Sequence, residues 1–377
     1  MTFKAILKYY LIWQVLILAV VIIASGFLPV RESGTYLGGG VTEYHRDPLL
    51  NFRSNFDGVH FILIATHGYN FGQQAFFPLY PKLISWVFTY VRSPVLIGVV
   101  ISSFSFFLAL IFLVRLIEMD YPRQVSRWTV LLLLFFPTSF FFSSVYTEGL
   151  CLLWIVLSFY TARRGKWLLA GIFGALAAYT RLVGVFLFPA LIIEYFWQSG
   201  MQNLTFGRIL TRLLPLLLIP LSLGIYMFYL YKTTGDALAF YHVQTAFNQS
   251  RSLRIVLPYQ VIWRYLKMIT TVSTNDFLYL TIWLEFIVGI VFITLTVFSL
   301  FRQRLSYSVF SLFALFLPTL TGNFVSLPRY VLVCFPLFIV LGDFAAGFPR
   351  LRYLLFSLSG MAFFIYLSLF AFGYWVA

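Results

Sequence analysis

Apolar runs of about 20 residues recur along the whole length of this chain, and that recurrence limits the fold more than any other feature. A helix of that length covers a hydrocarbon core roughly 30 Å thick. The runs are continuously apolar rather than alternating, which selects helices over a barrel. They leave no room for a soluble domain of any size. Of 377 residues, 61% are hydrophobic and only 10% are charged, and the mean hydropathy is +0.91. The expectation is an all-α polytopic membrane protein forming a single domain over 1–377. Spans are expected near 9–30, 94–114, 128–143, 146–162, 167–181, 182–198, 213–231, 278–301, 306–323, 329–346 and 353–374, about eleven transmembrane helices in all.

The net charge is +14. The basic residues are spread over many short loops, with no aromatic-interleaved basic patch, so nucleic acid is not expected as a partner. Arg115, Arg123 and Arg127, then Arg163, Arg164 and Lys166, then Arg208 and Arg212, then Arg302 and Arg304, then Arg350 and Arg352 all fall in short loops on the N-terminal side. By the positive-inside rule that side is cytoplasmic, giving a multi-pass plasma-membrane protein with its N-terminus inside. Two long segments, 31–92 and 232–277, then form an external working face. Interfacial helices are expected in them at 57–69, 83–91 and 257–267. Cys151 and Cys334 both fall in or near apolar runs and read as small core residues.

Asp57 is the only acidic residue of the stretch from Asn51 to Lys82, NFRSNFDGVHFILIATHGYNFGQQAFFPLYPK. It precedes a helical pattern that it either caps or opens, where the helix dipole favours a charged carboxylate. On a helical wheel Asp57, His60, Ile64 and His67 share a face. Along the axis, however, Asp57 and His67 stand roughly 15 Å apart, too far to ligate one metal ion. No metal site is expected, although one carboxylate and a substrate phosphate can share a magnesium ion. Glu148, in SSVYTEGL, lies where one span leaves the membrane and the next returns. A carboxylate at that depth is costly unless it is paired or functional. Arg181 in AAYTRLVG and Arg329 in SLPRYVL sit at span ends on the same side as Asp57. A guanidinium there snorkels, pairs with a carboxylate or holds a phosphate. His242, in AFYHVQ, is a further polar candidate. No motif of hydrolase, NTPase or dinucleotide chemistry is present.

Five blocks in order, FDGVHFILIATHGY with FFPLYP, FFPTSFFFSSVYTEGL, ALAAYTRLVG, TGDALAFYHVQ and LPRYVLVCFPLF, resemble the prokaryotic relatives of GPI mannosyltransferase 2, the PIG-V type. The similarity covers roughly residues 51 to 340. It implies the GT-C architecture of polytopic glycosyltransferases, which take a sugar from a polyprenyl-phosphate donor on the non-cytoplasmic side. Carried over by position, Asp57 falls on the family's presumed base, His60 on its D-x-x-H histidine, and Glu148 on the acid of its S-x-x-Y-[ST]-E block. Arg181 and Arg329 fall on its TR and RY positions. The catalytic candidates are thus Asp57 and Glu148, and His60, His67, Tyr146, Arg181, His242, Arg329 and Tyr330 are candidates to bind substrate. Phe56 stands where the family commonly has Trp, which keeps the aromatic ring and loses the indole N–H.

The resemblance implies transfer of a sugar, mannose by family, to a lipid or glycan acceptor by single displacement with inversion. No cofactor is required, because phosphate is already a good leaving group. An accessory membrane subunit is an allowed partner, since some family members work with one. A transporter or flippase would share the helices, but internal repeats and mid-membrane ionisable groups are expected of it. A non-catalytic membrane subunit is the third reading.

Overall fold

A computed structural model describes residues 1–32, 36–200, 206–244, 256–274 and 276–376. Residues 245–255 and 275 of the expected second external segment, and 33–35 of the first, lie outside the described residues. Every regular element among the described residues is a helix. The first is α1 (Phe3–Ala24), capped by the Thr2 hydroxyl, which accepts the Ala5 N–H at 3.3 Å. Two short helices, α2 (Val41–Arg46) and α3 (Pro48–Asn51), lead into α4 (Asp57–His67) and α5 (Leu79–Phe88). Then come α6 (Pro94–Ile117), α7 (Arg123–Leu134), α8 (Glu148–Arg163), α9 (Trp167–Thr180), α10 (Leu187–Ser199), α11 (Phe206–Leu213), α12 (Leu218–Thr234) and α13 (Ala239–His242). The chain finishes with α14 (Pro258–Thr271), α15 (Leu278–Arg302), α16 (Leu305–Thr319), α17 (Leu327–Tyr330), α18 (Phe335–Gly347) and α19 (Pro349–Ala371).

Six helical stretches among the described residues are long and apolar enough to cross a membrane: Phe3–Ala24, Pro94–Ile117, Leu182–Ser199, Ile209–Thr234, Leu278–Arg302 and Pro349–Ala371. A seventh forms if Leu327–Val333 and Phe335–Gly347, bent by 84° at their junction, count as one. The expected number of about eleven is therefore not borne out, and each shortfall has a local cause. The expected span at 128–143 stops at Leu134, because Pro137 follows within a turn and the chain continues as a 3-10 turn over Ser139–Ser143. The next begins at Glu148 and holds only 16 residues. Trp167–Thr180 and Leu305–Phe316 are apolar but short. Hydropathy reads through Phe135–Ser144 because that segment is aromatic, and most of its residues are buried within the protein.

α8 is the hub, packing against α6, α9 and α10. Its approach to α6 depends on Gly149, where an added Cβ would lie 2.5 Å from the Ser102 carbonyl oxygen. Beside that contact the Phe106 and Phe142 rings stack at 3.9 Å. With Glu148 at its first residue and Arg163 at its last, α8 separates two charged clusters by roughly 22 Å.

At the Arg163 end, Asp120 accepts two hydrogen bonds from Arg163 (2.5 and 2.8 Å) and two from Arg304 (3.2 and 3.1 Å). Burial alone pushes the Asp120 carboxyl up, but the two guanidinium groups outweigh it and hold it below its ordinary value. The fully buried Glu194 joins both arginines at 3.4 Å. This knot ties α6, α8, α10 and α16 together at one end and leaves the other end to the second cluster.

Candidate active site

The segment before α4 is unusually polar for a buried one: Asn51, Arg53, Ser54 and Asn55 are all buried. Asn55 uses its whole side chain. Its amide nitrogen donates to the Phe370 and Ala371 carbonyls at the end of α19, and its oxygen accepts the Gly38 N–H at 2.8 Å. Its backbone carbonyl accepts the Tyr146 hydroxyl at 2.8 Å. Next comes Phe56 at φ 56°, ψ −119°, a conformation that side chains other than glycine rarely adopt. Its N–H is held by the Tyr36 carbonyl at 2.7 Å, and its ring packs on Phe370 and Trp375. The strained residue turns the chain so that α4 begins at Asp57, which sits inside the first turn and does not cap it.

Glu148 likewise opens α8. Both carboxylates therefore lie at the positive end of a helix dipole. Between them stands Arg329, brought in by α17, a four-residue helix that follows Ser326 at φ 64°. Phe56 and Ser326 are the two non-glycine residues with positive φ among the described residues, and each precedes an element that carries a charge of this cluster. Arg329 donates from Nη1 to Asp57 Oδ2 at 2.6 Å, and its Nε lies 3.4 Å from Glu148 Oε1. Arg181, the residue after α9, pairs with Glu148 and donates to the Thr147 hydroxyl at 3.3 Å. The four groups form one chain, Asp57, Arg329, Glu148, Arg181, with no net charge.

Aromatic rings line this chain. The Arg329 guanidinium lies 5.3, 5.5 and 5.7 Å from the rings of Tyr146, Tyr330 and Phe141, and Arg181 lies 5.2 Å from Tyr330. Stacking of this kind fixes guanidinium planes where lipid and protein exclude water. Exposure divides the two acids: the Glu148 side chain is 1% exposed, while that of Asp57 is 22% exposed. Asp57 Oδ1 accepts no hydrogen bond among the described residues, so one oxygen of this carboxylate is held and the other is not.

His60 lies one turn along α4, stacked on Phe76 at 5.0 Å and tilted against Tyr36 at 5.6 Å. Burial lowers its pKa, and the Asp57 charge offsets this only in part. His67 does not join the cluster. It is exposed at the far end of α4, with the Thr66 hydroxyl 2.8 Å from its Nδ1. It shares the angular face of Asp57, and the roughly 15 Å of axial rise expected between them keeps the two apart. His242 is half exposed in α13, with Nδ1 2.7 Å from Asp236. Tyr146 is fully buried, and its hydroxyl donates to the Asn55 carbonyl just before the Asp57 turn. Among the described residues no three of His, Cys, Asp and Glu converge where they could hold a metal ion.

Arg53 escaped the sequence reading. It is 6% exposed and donates from Nη1 to both the carbonyl (2.5 Å) and the hydroxyl of Ser143. Ser143 continues the chain to Gln14 at 2.9 Å, and Gln14 to Tyr10 at 2.8 Å. No carboxylate neutralises Arg53 among the described residues, and burial pulls its guanidinium down to about 10. The signal lay in the sequence as an arginine in a run of buried polar residues four positions before Asp57.

No curated protein and no solved structure matches the chain. The mannosyltransferase (PIG-V) family matches it over residues 3–239, a stretch that contains Asp57, His60, Glu148 and Arg181 and ends short of His242 and Arg329. That match covers more than half of the chain, and the chain belongs to the PIG-V mannosyltransferase family.

Proposed function

We propose that this membrane glycosyltransferase moves a mannosyl group from a polyprenyl-phosphate donor to a hydroxyl of a lipid or glycan acceptor, on the non-cytoplasmic side, with Asp57 as general base. The observation that carries the reading is the division between the two carboxylates. Asp57 is open to a substrate and anchored through one oxygen, whereas Glu148 is sealed between two arginines.

In the proposed reaction the acceptor oxygen attacks the anomeric carbon while Asp57 Oδ1 takes its proton. The new carbon–oxygen bond forms as the bond to the phosphate oxygen breaks, and polyprenyl phosphate leaves with the bonding pair. A single displacement inverts the anomeric centre. Arg329 and Arg181 offer the cations for the departing phosphate, and each is held ready by the carboxylates it already contacts. The stacked aromatic rings keep both in place. His60, uncharged at neutral pH, supplies a hydrogen bond to a sugar hydroxyl.

The test is incubation of purified protein with polyprenyl-phosphate mannose and a panel of lipid and glycan acceptors. Donor consumption with a product of opposite anomeric configuration supports the reading. Retained configuration contradicts the single displacement, and an intact donor with every acceptor contradicts the donor class.

A further inference from the structure

A second group of arginines lies at the opposite end of the molecule from Asp57, and none of them forms an ion pair with a carboxylate among the described residues. A cavity of about 470 Å³ opens there, lined by Arg123, Gln124, Arg127, Trp128, Arg352 and Tyr353. It lies where α7 and α19 both begin, since Arg123 is the first residue of α7 and Arg352 is in the first turn of α19.

Three observations make this more than the ordinary excess of basic residues in short loops. First, at this same end Arg163 and Arg304 are fully engaged by Asp120 and Glu194, whereas none of the three cavity arginines has a carboxylate within ion-pair distance among the described residues. Glu118, at the C-terminal end of α6, is bound by the Met1 amino group and the Ser126 hydroxyl and acts on Arg123 through space without an ion pair, which leaves Arg127 and Arg352 to the cavity. Second, both helices start with no side-chain cap and no acid in their first turn. Their dipoles therefore add positive potential to the arginines instead of offsetting it, an arrangement that favours an anion. Third, the cavity is held in shape. The Arg352 guanidinium lies 5.3 Å from the Trp128 ring and 4.9 Å from that of Tyr353, to whose hydroxyl its Nη2 donates at 3.4 Å, and the buried Arg352 Nε has no hydrogen-bond partner among the described residues. A Trp and a Tyr beside the start of an apolar helix mark the depth of lipid headgroups.

We propose that this cavity binds the phosphate of an anionic phospholipid headgroup, in the leaflet opposite the Asp57 face. The guanidinium forks suit phosphate oxygens, the volume suits a headgroup, and the acyl chains would run along the apolar flanks of α7 and α19.

The test uses the full chain, purified and stripped of lipid, with phosphatidylglycerol, phosphatidylcholine or soluble glycerol phosphate added and retained lipid counted by native mass spectrometry. Wild-type protein should retain phosphatidylglycerol in preference to phosphatidylcholine. R127Q/R352Q should bind it roughly thirtyfold more weakly, about fivefold for each guanidinium lost, and R127K/R352K should recover part of that. Equal retention by wild type and R127Q/R352Q overturns the site. Displacement of the lipid by millimolar glycerol phosphate overturns the lipid source. Should R127Q/R352Q fail to fold, the wild type alone decides: retention that falls steeply with salt supports the site, and retention independent of salt overturns it.

Discussion

Arg329 and Asp57, 272 residues apart in sequence, meet through a 2.6 Å hydrogen bond at the start of α4. The same guanidinium lies 3.4 Å from Glu148, so one arginine joins an open carboxylate to a sealed one.

Glu148 is buried between two arginines, and removing its charge leaves both without their shared partner. Glu148→Gln should lower stability by about 3 kcal/mol, as expected when one side of a buried ion pair is deleted. Combined with Arg329→Gln, the loss should be clearly less than additive, because the two changes remove the same interaction. Thermal unfolding of the single and double variants in one detergent measures both effects. Additive losses would show that the two residues are energetically independent.

Phe56 carries its ring on a strained backbone. Phe56→Ala loses the packing on Phe370 and Trp375 and keeps the strain, whereas Phe56→Gly loses the same packing and relieves it. The glycine variant should therefore be the more stable of the two, by about 1 kcal/mol. Equal midpoints would mean that the turn stores no strain.

His60 sets a pH dependence whose sign follows from its environment. Burial lowers its folded pKa below 6.5, with Asp57 offsetting part of the shift. As pH falls, the unfolded chain therefore takes up this proton first. The His60 contribution to stability is intact above about pH 6.5 and is lost as pH falls below it. His60→Gln should flatten this part of the curve between pH 7 and pH 5. A variant whose stability tracks the wild type across that interval would remove His60 as the cause.

Gly149 allows α6 and α8 to touch, and a Cβ there would meet the Ser102 carbonyl oxygen at 2.5 Å. Gly149→Ala should destabilise by roughly 1–3 kcal/mol and displace the N-terminus of α8, and with it Glu148. Unfolding midpoints and activity should fall together. Normal stability in this variant would contradict the closeness of the two helices.

What could be read from the sequence, and what could not, follows the reach of each signal. Asp57 was legible as the start of a helix because local pattern sets that start, and the Arg181 and Arg329 ends were legible because charge sets which side of a span they take. Their mutual neutralisation was not, since nothing local joins residue 57 to residue 329. His67 shares the angular face of Asp57 but lies at the other end of α4, where the axial rise of the helix puts it. The expected span count exceeds the number of long apolar helices where aromatic residues fill a buried turn, at Phe135–Ser144, and where Pro336 follows the sharp bend between α17 and α18. Hydropathy reports removal from water and cannot tell lipid from protein interior. Arg53 and Asn55 were missed because their partners come from α19 and from the turn after α7, again distant in sequence.

The central claim is that Asp57 takes the proton of the acceptor. Its most direct measurement is the single-turnover rate of donor consumption by Asp57→Asn, purified beside the wild type and shown by gel filtration to be folded. The account predicts a rate lower by about 10²–10⁴-fold with donor still bound. A rate close to that of the wild type would contradict it.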